Sequence, residues 1–155
     1  IVGAVPGALP PVVGYVAAKG MIDVAAAVLF AILFLWQIPH FLAIAWMYKE
    51  DYAAGGYRVL PVLDPDGQRT ARSILLWSVL LTPTTVMPAF AMQGTPAWVY
   101  GIVAAVMGAV FLKLGFKFHA TRERNDARRA FIASVIHLPL VLMFLVACQV
   151  ASRFL

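Results

Sequence analysis

Val24–Met47 reads VAAAVLFAILFLWQIPHFLAIAWM, 24 residues without one charged side chain. Crossing the hydrocarbon core of a bilayer takes roughly 20 consecutive apolar residues in an α-helix. This stretch is long enough, so it predicts a membrane span. Further along, residues 73–92, 97–112 and 130–152 are uncharged as well, and the second of these can run on past Lys113 if that side chain snorkels. Residues 1–18 are also apolar but carry Gly3, Gly7, Gly14, Pro6, Pro10 and Pro11, which predicts a broken helix or the end of one. Gly3 and Gly7 form a GxxxG pair, a common helix-packing pattern of low specificity.

The whole composition agrees. Of 155 residues 63% are hydrophobic and 12% charged, with a mean hydropathy of +0.87. A soluble domain of this size has too small an interior to hide that much apolar surface. A soluble enzyme, a disordered chain and a disulfide scaffold are therefore excluded, and a multi-span bundle is expected. Cys148 stands alone, so neither an intrachain disulfide nor a Cys-rich metal site can form. The chain opens Ile1-Val2-Gly3, with no Met and no charged leader, and reads as the C-terminal part of a longer protein.

The net charge is +5. In a membrane chain that excess is first a topology signal, and it gives no reason to expect nucleic-acid binding. Residues 48–72 hold Lys49, Arg58, Arg69 and Arg72; residues 113–129 hold Lys113, Lys117, Arg122, Arg124, Arg128 and Arg129. These two basic loops lie two spans apart and so share a side. The other side has Lys19, Asp23, the uncharged turn 93–96 and Arg153. The positive-inside rule places both basic loops in the cytoplasm and the C-terminus outside, in a multi-pass cell-membrane protein. Asp64-Pro65-Asp66-Gly67 is strong turn chemistry dividing the first loop.

At about 100° per residue, Gln37, His40, Ile44, Tyr48 and Asp51 fall in one sector of roughly 60–80°. Polar groups within a span are costly and normally face the bundle interior. Two readings fit. In one, Gln37 and His40 bond to neighbouring helices and Asp51 is a solvated loop residue. In the other, a polar line runs from membrane depth to a carboxylate at the surface, with Pro39 kinking the helix within it. Such a line suits a polyphosphate ester. Asp51 would bind Mg²⁺, which bridges to phosphate oxygens, and Lys49 and Arg58 would neutralise the same group. An apolar cavity behind it would take a lipid tail or a flat acceptor. His40 and Asp51 are separated by roughly 16 Å along an unbroken helix, too far to share one ion.

Several stretches are familiar. Gly3-Ala4-Val5-Pro6-Gly7-Ala8-Leu9-Pro10-Pro11 through Gly14-Tyr15 resembles the Gly/Pro-rich segment of the heme O synthase (protoheme IX farnesyltransferase) family. Leu35-Trp36-Gln37-Ile38-Pro39-His40-Phe41, then Tyr48-Lys49-Glu50-Asp51-Tyr52, resembles its most specific signature. Leu60-Pro61-Val62, the Asp64–Gly67 turn, Ser134 and Leu138-Pro139-Leu140 fit too.

The resemblance implies an all-α polytopic bundle. The chain would supply about five membrane segments of a nine-helix UbiA-type fold, with residues 1–155 the C-terminal portion of one integral membrane domain. It implies transfer of a farnesyl group from farnesyl diphosphate to a vinyl group of heme B with Mg²⁺ help, giving heme O. Heme A synthase would be the partner using that product. By the same resemblance Asp51 is the metal-binding carboxylate of the second acidic motif. Lys49 and Tyr52 flank it towards the diphosphate, with Tyr48 beside them. His40 is a heme contact, as axial ligand or cation-stabilising base; Trp36 and Phe41 either wall the cavity or are ordinary packing aromatics. Gly55 stands where much of the superfamily has a second Asp, as the heme O synthase branch does, and Arg58 has no counterpart in that branch. The first acidic motif, Asn-Asp-x-x-Asp, is absent. Asn125-Asp126 begins like it, but Arg129 stands where the second Asp should be, so 125–129 reads as a basic loop. Residues 1–155 alone are therefore expected to be inactive.

Among the remaining features, Gly101, Ala105, Gly108 and Gly115 predict a packing seam, and His137 an interhelical hydrogen bond. The competing function is a non-catalytic membrane protein, a transporter segment or a heme-carrying assembly factor. A charged site at the cytoplasmic edge favours the enzyme, because a transport site sits nearer the midplane.

Overall fold

The computed structural model describes residues 3–152; Arg153 lies outside them. It is all-α: α1 (Ala4–Lys19), α2 (Val24–Met47), α3 (Lys49–Ala54), α4 (Gln68–Val86), a 3-10 turn (Met87–Ala91), α5 (Gly94–Thr121) and α6 (Arg124–Ala151). Four segments are long and apolar enough to cross a membrane: Val24–Met47, Gln68–Ala91, Gly94–Thr121 and Arg124–Ala151. Each overlaps one of the four uncharged stretches of the sequence, three of them extending into charged residues, and the chain is a multi-pass membrane protein. Helix α2 packs on α4 and α6, and α5 packs on the same two, so these four close a ring; α1 lies against α2.

The ring is filled in layers. Trp46, Ala71, Ile74 and Phe118 meet at the end carrying the basic residues. Ile32, Leu81 and Phe111 fill the middle. Met92, Tyr100, Ala104 and Val141 fill the far end. Leu76, Val106, Ile136 and Val146 face outward and exposed, the surface a bilayer would cover. Two buried hydroxyls of α4 are satisfied within that helix: Ser78 Oγ donates to the Ile74 carbonyl at 2.7 Å and Thr85 Oγ1 to that of Thr82 at 2.8 Å. Tyr100 then donates its hydroxyl to the Thr85 carbonyl at 2.7 Å.

Several expectations need correction. Helix α1 is not broken; it continues through Pro10 and Pro11. Proline's fixed φ is helical, so Pro10 and Pro11 each cost one bond, to the Pro6 and Gly7 carbonyls, without ending the helix. Of the GxxxG pair only Gly7 is a close contact, against Gln37; nothing among the described residues lies within 4 Å of a Cβ placed on Gly3. Ala4 and Ala8 are the buried residues of α1. In the α4–α5 seam Ala104 is buried and Ala105 exposed. Gly108 is the tight point, since a Cβ there would stand 2.6 Å from Thr82 Cγ2.

The segment 113–129 is mostly helix, because α5 runs to Thr121 and α6 starts at Arg124. A helix of 28 residues spans about 42 Å against about 30 Å of hydrocarbon. Its charged last turns therefore stand clear of the core without any loop. Pro88 falls where α4 gives way to the 3-10 turn. His137 makes no interhelical bond: it is 1% exposed and neither ring nitrogen has a partner among the described residues. The Phe111 ring lies 5.5 Å from it, and the Met107 carbonyl faces it without reaching hydrogen-bond geometry.

The Asp64–Gly67 turn forms as expected. Gly67 donates its amide to the Asp64 carbonyl at 3.1 Å, and the buried Asp64 carboxylate accepts from the Thr70 amide (2.8 Å) and hydroxyl (2.9 Å) at the start of α4. At the opposite end of the bundle Asp23 caps α2, accepting from the Ala26 amide at 2.9 Å. The Lys19 ammonium and that amide hold the Asp23 carboxyl down at about 2.

Candidate functional site

Helix α2 ends at Tyr48, whose ψ of +28° turns the chain before α3 begins at Lys49. The polar stripe is therefore not one continuous line. It divides into a cluster inside the bundle and a cavity at its end.

The inner cluster joins α2 to α6. Trp36 donates its indole N–H to the Ser134 carbonyl at 2.7 Å, and its ring stacks on His40 with centroids 4.6 Å apart. His40 Nδ1 stands 2.8 Å from Ser134 Oγ. The single hydroxyl proton of Ser134 goes to the Phe131 carbonyl at 2.6 Å. With that hydroxyl so engaged, neutral His40 meets Ser134 as the Nδ1–H tautomer, and Nε2 keeps its lone pair. Nε2 has no hydrogen-bond partner among the described residues. Phe41 is 54% exposed, on the outside of the cluster. Gln37 points elsewhere: its buried amide donates to the carbonyls of Ala4 and Leu33, each at 3.2 Å. It fastens α1 to α2, and Gly7 leaves it room, because a Cβ there would meet Gln37 Oε1.

The outer site is an open cavity of about 320 Å³ lined by Trp46, Met47, Tyr48, Lys49, Glu50, Asp51, Arg122 and Arg124. Asp51 is exposed and no salt bridge among the described residues engages it. Lys49 rests its ammonium 4.6 Å from the centre of the Trp46 ring. The Arg124 guanidinium rests 5.9 Å from that of Tyr48. Trp46 braces the whole end of the bundle. Its indole N–H donates to the Arg122 carbonyl at 3.2 Å, its ring meets Phe118 edge-on at 5.8 Å, and Gly67 lies directly against it.

The fold thus brings together Tyr48, Lys49 and Asp51, and separately Trp36 and His40. Neither Tyr52 nor Arg58 lines the cavity. Tyr52 is half-buried with its ring edge-on to Tyr57 at 5.9 Å, and Arg58 is exposed. Arg122 and Arg124 enter a site for which the sequence offered them only as topology markers. Their neighbour Asp126, read as part of a basic loop, is a buried carboxylate. It accepts from Thr121 Oγ1 at 2.8 Å and pairs with Lys117 and Arg129 at 3.2 Å. The i,i+3 spacing of Asp126 and Arg129 was the available signal.

No group of three or more His, Cys, Asp or Glu side chains is gathered among the described residues. Asp51, with Glu50 beside it, nevertheless suits a hard cation, since Mg²⁺ in phosphate sites is often held by one or two carboxylates, substrate oxygens and water.

A multi-pass helical bundle with a mixed-charge cavity at one end is thus the class that fold and site define. The chain belongs to the UbiA prenyltransferase family, whose sequence profile matches residues 1–148. It is 48% identical over 140 residues to a protein of Solibacter usitatus named protoheme IX farnesyltransferase, covering 90% of this chain and 47% of that one. A protein of the same name from Salinibacter ruber is 43% identical, over 94% of this chain and 51% of its own length. The human mitochondrial protoheme IX farnesyltransferase is 39% identical over 96% of this chain and 32% of its own. The chain spans about half the length of the bacterial relatives it matches. No solved structure matches it.

Proposed function

We propose that the protein to which these residues belong transfers the farnesyl group of farnesyl diphosphate to a vinyl group of heme B, producing heme O. The observation that carries this reading is the convergence of Asp51 and Lys49 on one open cavity, in a chain similar along most of its length to farnesyltransferases of protoheme IX. In the reaction the allylic C–O bond breaks and diphosphate leaves. A C–C bond forms at the vinyl carbon, and water adds its hydroxyl to the adjoining carbon, releasing a proton.

Asp51 and Lys49 are assigned to the leaving group. Asp51 contributes one carboxylate to a Mg²⁺ site whose other carboxylates would lie outside this chain. Magnesium, when bound, offsets the charge on the departing diphosphate. Lys49, held by Trp46, supplies a cation at the same mouth, and Tyr48 lines it. Tyr52, in α3, and Arg58, four residues beyond its end, do not line the cavity and are assigned to its electrostatic surroundings. His40 is assigned to the heme, because its Nε2 carries an unused lone pair. Trp36 fixes its plane by stacking. Gln37 acts through the α1–α2 contact, one step removed from the ligands. The charged cavity lies at the end of the bundle, as suits diphosphate delivered from water. The basic end is assigned to the cytoplasmic side and the C-terminus to the outside, with heme A synthase as the downstream partner.

The test is Asp51→Asn in the complete protein. Farnesyl transfer should be abolished while expression stays near normal, because an exposed carboxylate without an ion pair contributes little to folding. Heme O production near that of the unmodified protein would remove Asp51 from the metal site and this reading with it.

A further inference from the structure

We propose that Arg124 is a diphosphate-binding side chain of the same cavity, delivered by the start of α6; this rests on the prenyl-transfer reading. Of the basic residues around the α5–α6 turn, Lys117 and Arg129 are committed to Asp126. Arg128 is exposed and does not line the cavity. Arg122 and Arg124 both line it with Lys49, Glu50 and Asp51; of the two, Arg124 is the one that rests on a ring of the same wall, Tyr48. Even with two carboxylates on the same wall, Arg124 forms no salt bridge among the described residues and rests on the Tyr48 ring. That hold is weak for an exposed cation and is readily exchanged for an anion. A guanidinium also presents a planar fork that matches two phosphate oxygens at once.

The turn that carries Arg124 does not wander. Trp46 holds the Arg122 carbonyl at 3.2 Å, and Arg122 donates its amide to the Phe118 carbonyl at 2.8 Å. Asp126 then ties the start of α6 back to the end of α5 through Thr121 and Lys117. The same Trp46 ring supports Lys49, so Lys49 and the turn that carries Arg124 share one brace. The occupant this arrangement fits is the terminal diphosphate of an isoprenyl chain.

The experiment uses the full-length protein in detergent with Mg²⁺. Calorimetry measures binding of inorganic diphosphate and of farnesyl diphosphate; steady-state assays measure both substrates. Arg124→Gln should weaken diphosphate binding and raise the KM for farnesyl diphosphate about tenfold, the loss of one charge-assisted contact. The KM for heme should not move. Arg124→Lys should recover part of the loss, and Arg128→Gln should bind like the unmodified protein. Unchanged binding by Arg124→Gln overturns the assignment. So does an equal loss in Arg128→Gln, which would mean bulk charge, or an equal loss of heme affinity, which would mean misfolding. If the unmodified protein binds neither ligand, the prenyl-transfer reading itself fails, and this assignment with it.

Discussion

Replacing Gly67 by Ala should damage both the stability of the bundle and its charged cavity, although Gly67 does not line that cavity. Gly67 has φ +70°, a left-handed conformation that costs an L-residue roughly 1–2 kcal/mol. The added Cβ would also stand 2.4, 2.9 and 3.0 Å from three carbons of the Trp46 ring. That ring is 8% exposed, bonded to Arg122 and packed on Phe118, so it cannot move freely. Overpacking of this kind costs roughly 1–3 kcal/mol. The two effects sum to about 2–5 kcal/mol, or roughly 5–15 °C in melting temperature for a chain of this size. Gly56→Ala is the control. Its φ is +74° and nothing lies within 4 Å of the new methyl, so it should show only the backbone cost. Both variants would be heated in detergent, and the folded fraction measured by size-exclusion chromatography. Diphosphate binding would be measured below the transition. Gly67→Ala should melt several degrees below Gly56→Ala and bind diphosphate more weakly, because the displaced ring releases Lys49 and the Arg122 carbonyl. Equal melting temperatures and equal binding would refute the role of Trp46 as the brace.

Three further outcomes are expected. His40→Ala should weaken heme binding more than farnesyl diphosphate binding, and Ser134→Ala should do the same to a smaller degree by freeing the ring tautomer; equal losses of both ligands in titrations would mean a packing defect. Cysteines placed at positions 64–68 and 122–126 should label from one side of the membrane, since Trp46 joins the two turns directly, and labelling from opposite sides would contradict the fold. The Asp23 carboxyl is depressed to about 2 by Lys19 and the Ala26 amide. Its contribution to stability is therefore present above the unfolded value near 4 and is lost as pH falls towards 2. Asp23→Asn should remove that part of the acid dependence from a melting curve measured across pH 2–5.

The spans were legible because hydrocarbon imposes a rule that each segment obeys by itself: enough apolar residues and no charge. Where a helix ends was less legible. Arg124 and Lys117 look like loop residues, but a helix longer than the bilayer is thick carries them beyond the apolar core. Pro10 and Pro11 look like breaks, but proline's φ is itself helical, and α1 continues past the two bonds they remove.

The class of the molecule, its four long spans, the segregation of its charge and the chemistry of the residues around Asp51 can all be read from residue order, because side chains possess these properties before they meet a partner. Tertiary structure alone decided which of those side chains act together. A helical wheel put Gln37 and His40 in one sector, yet the first faces α1 and the second α6, because a sector that wide spans two neighbours. It aligned Tyr48 and Asp51 with them, yet the turn at Tyr48 carries Asp51 away to the end of the bundle. Arg124 lines one cavity with Asp51 across 73 positions of sequence, and Ser134 meets His40 across 94. Periodicity describes one helix at a time, and such pairings exist only once helices pack.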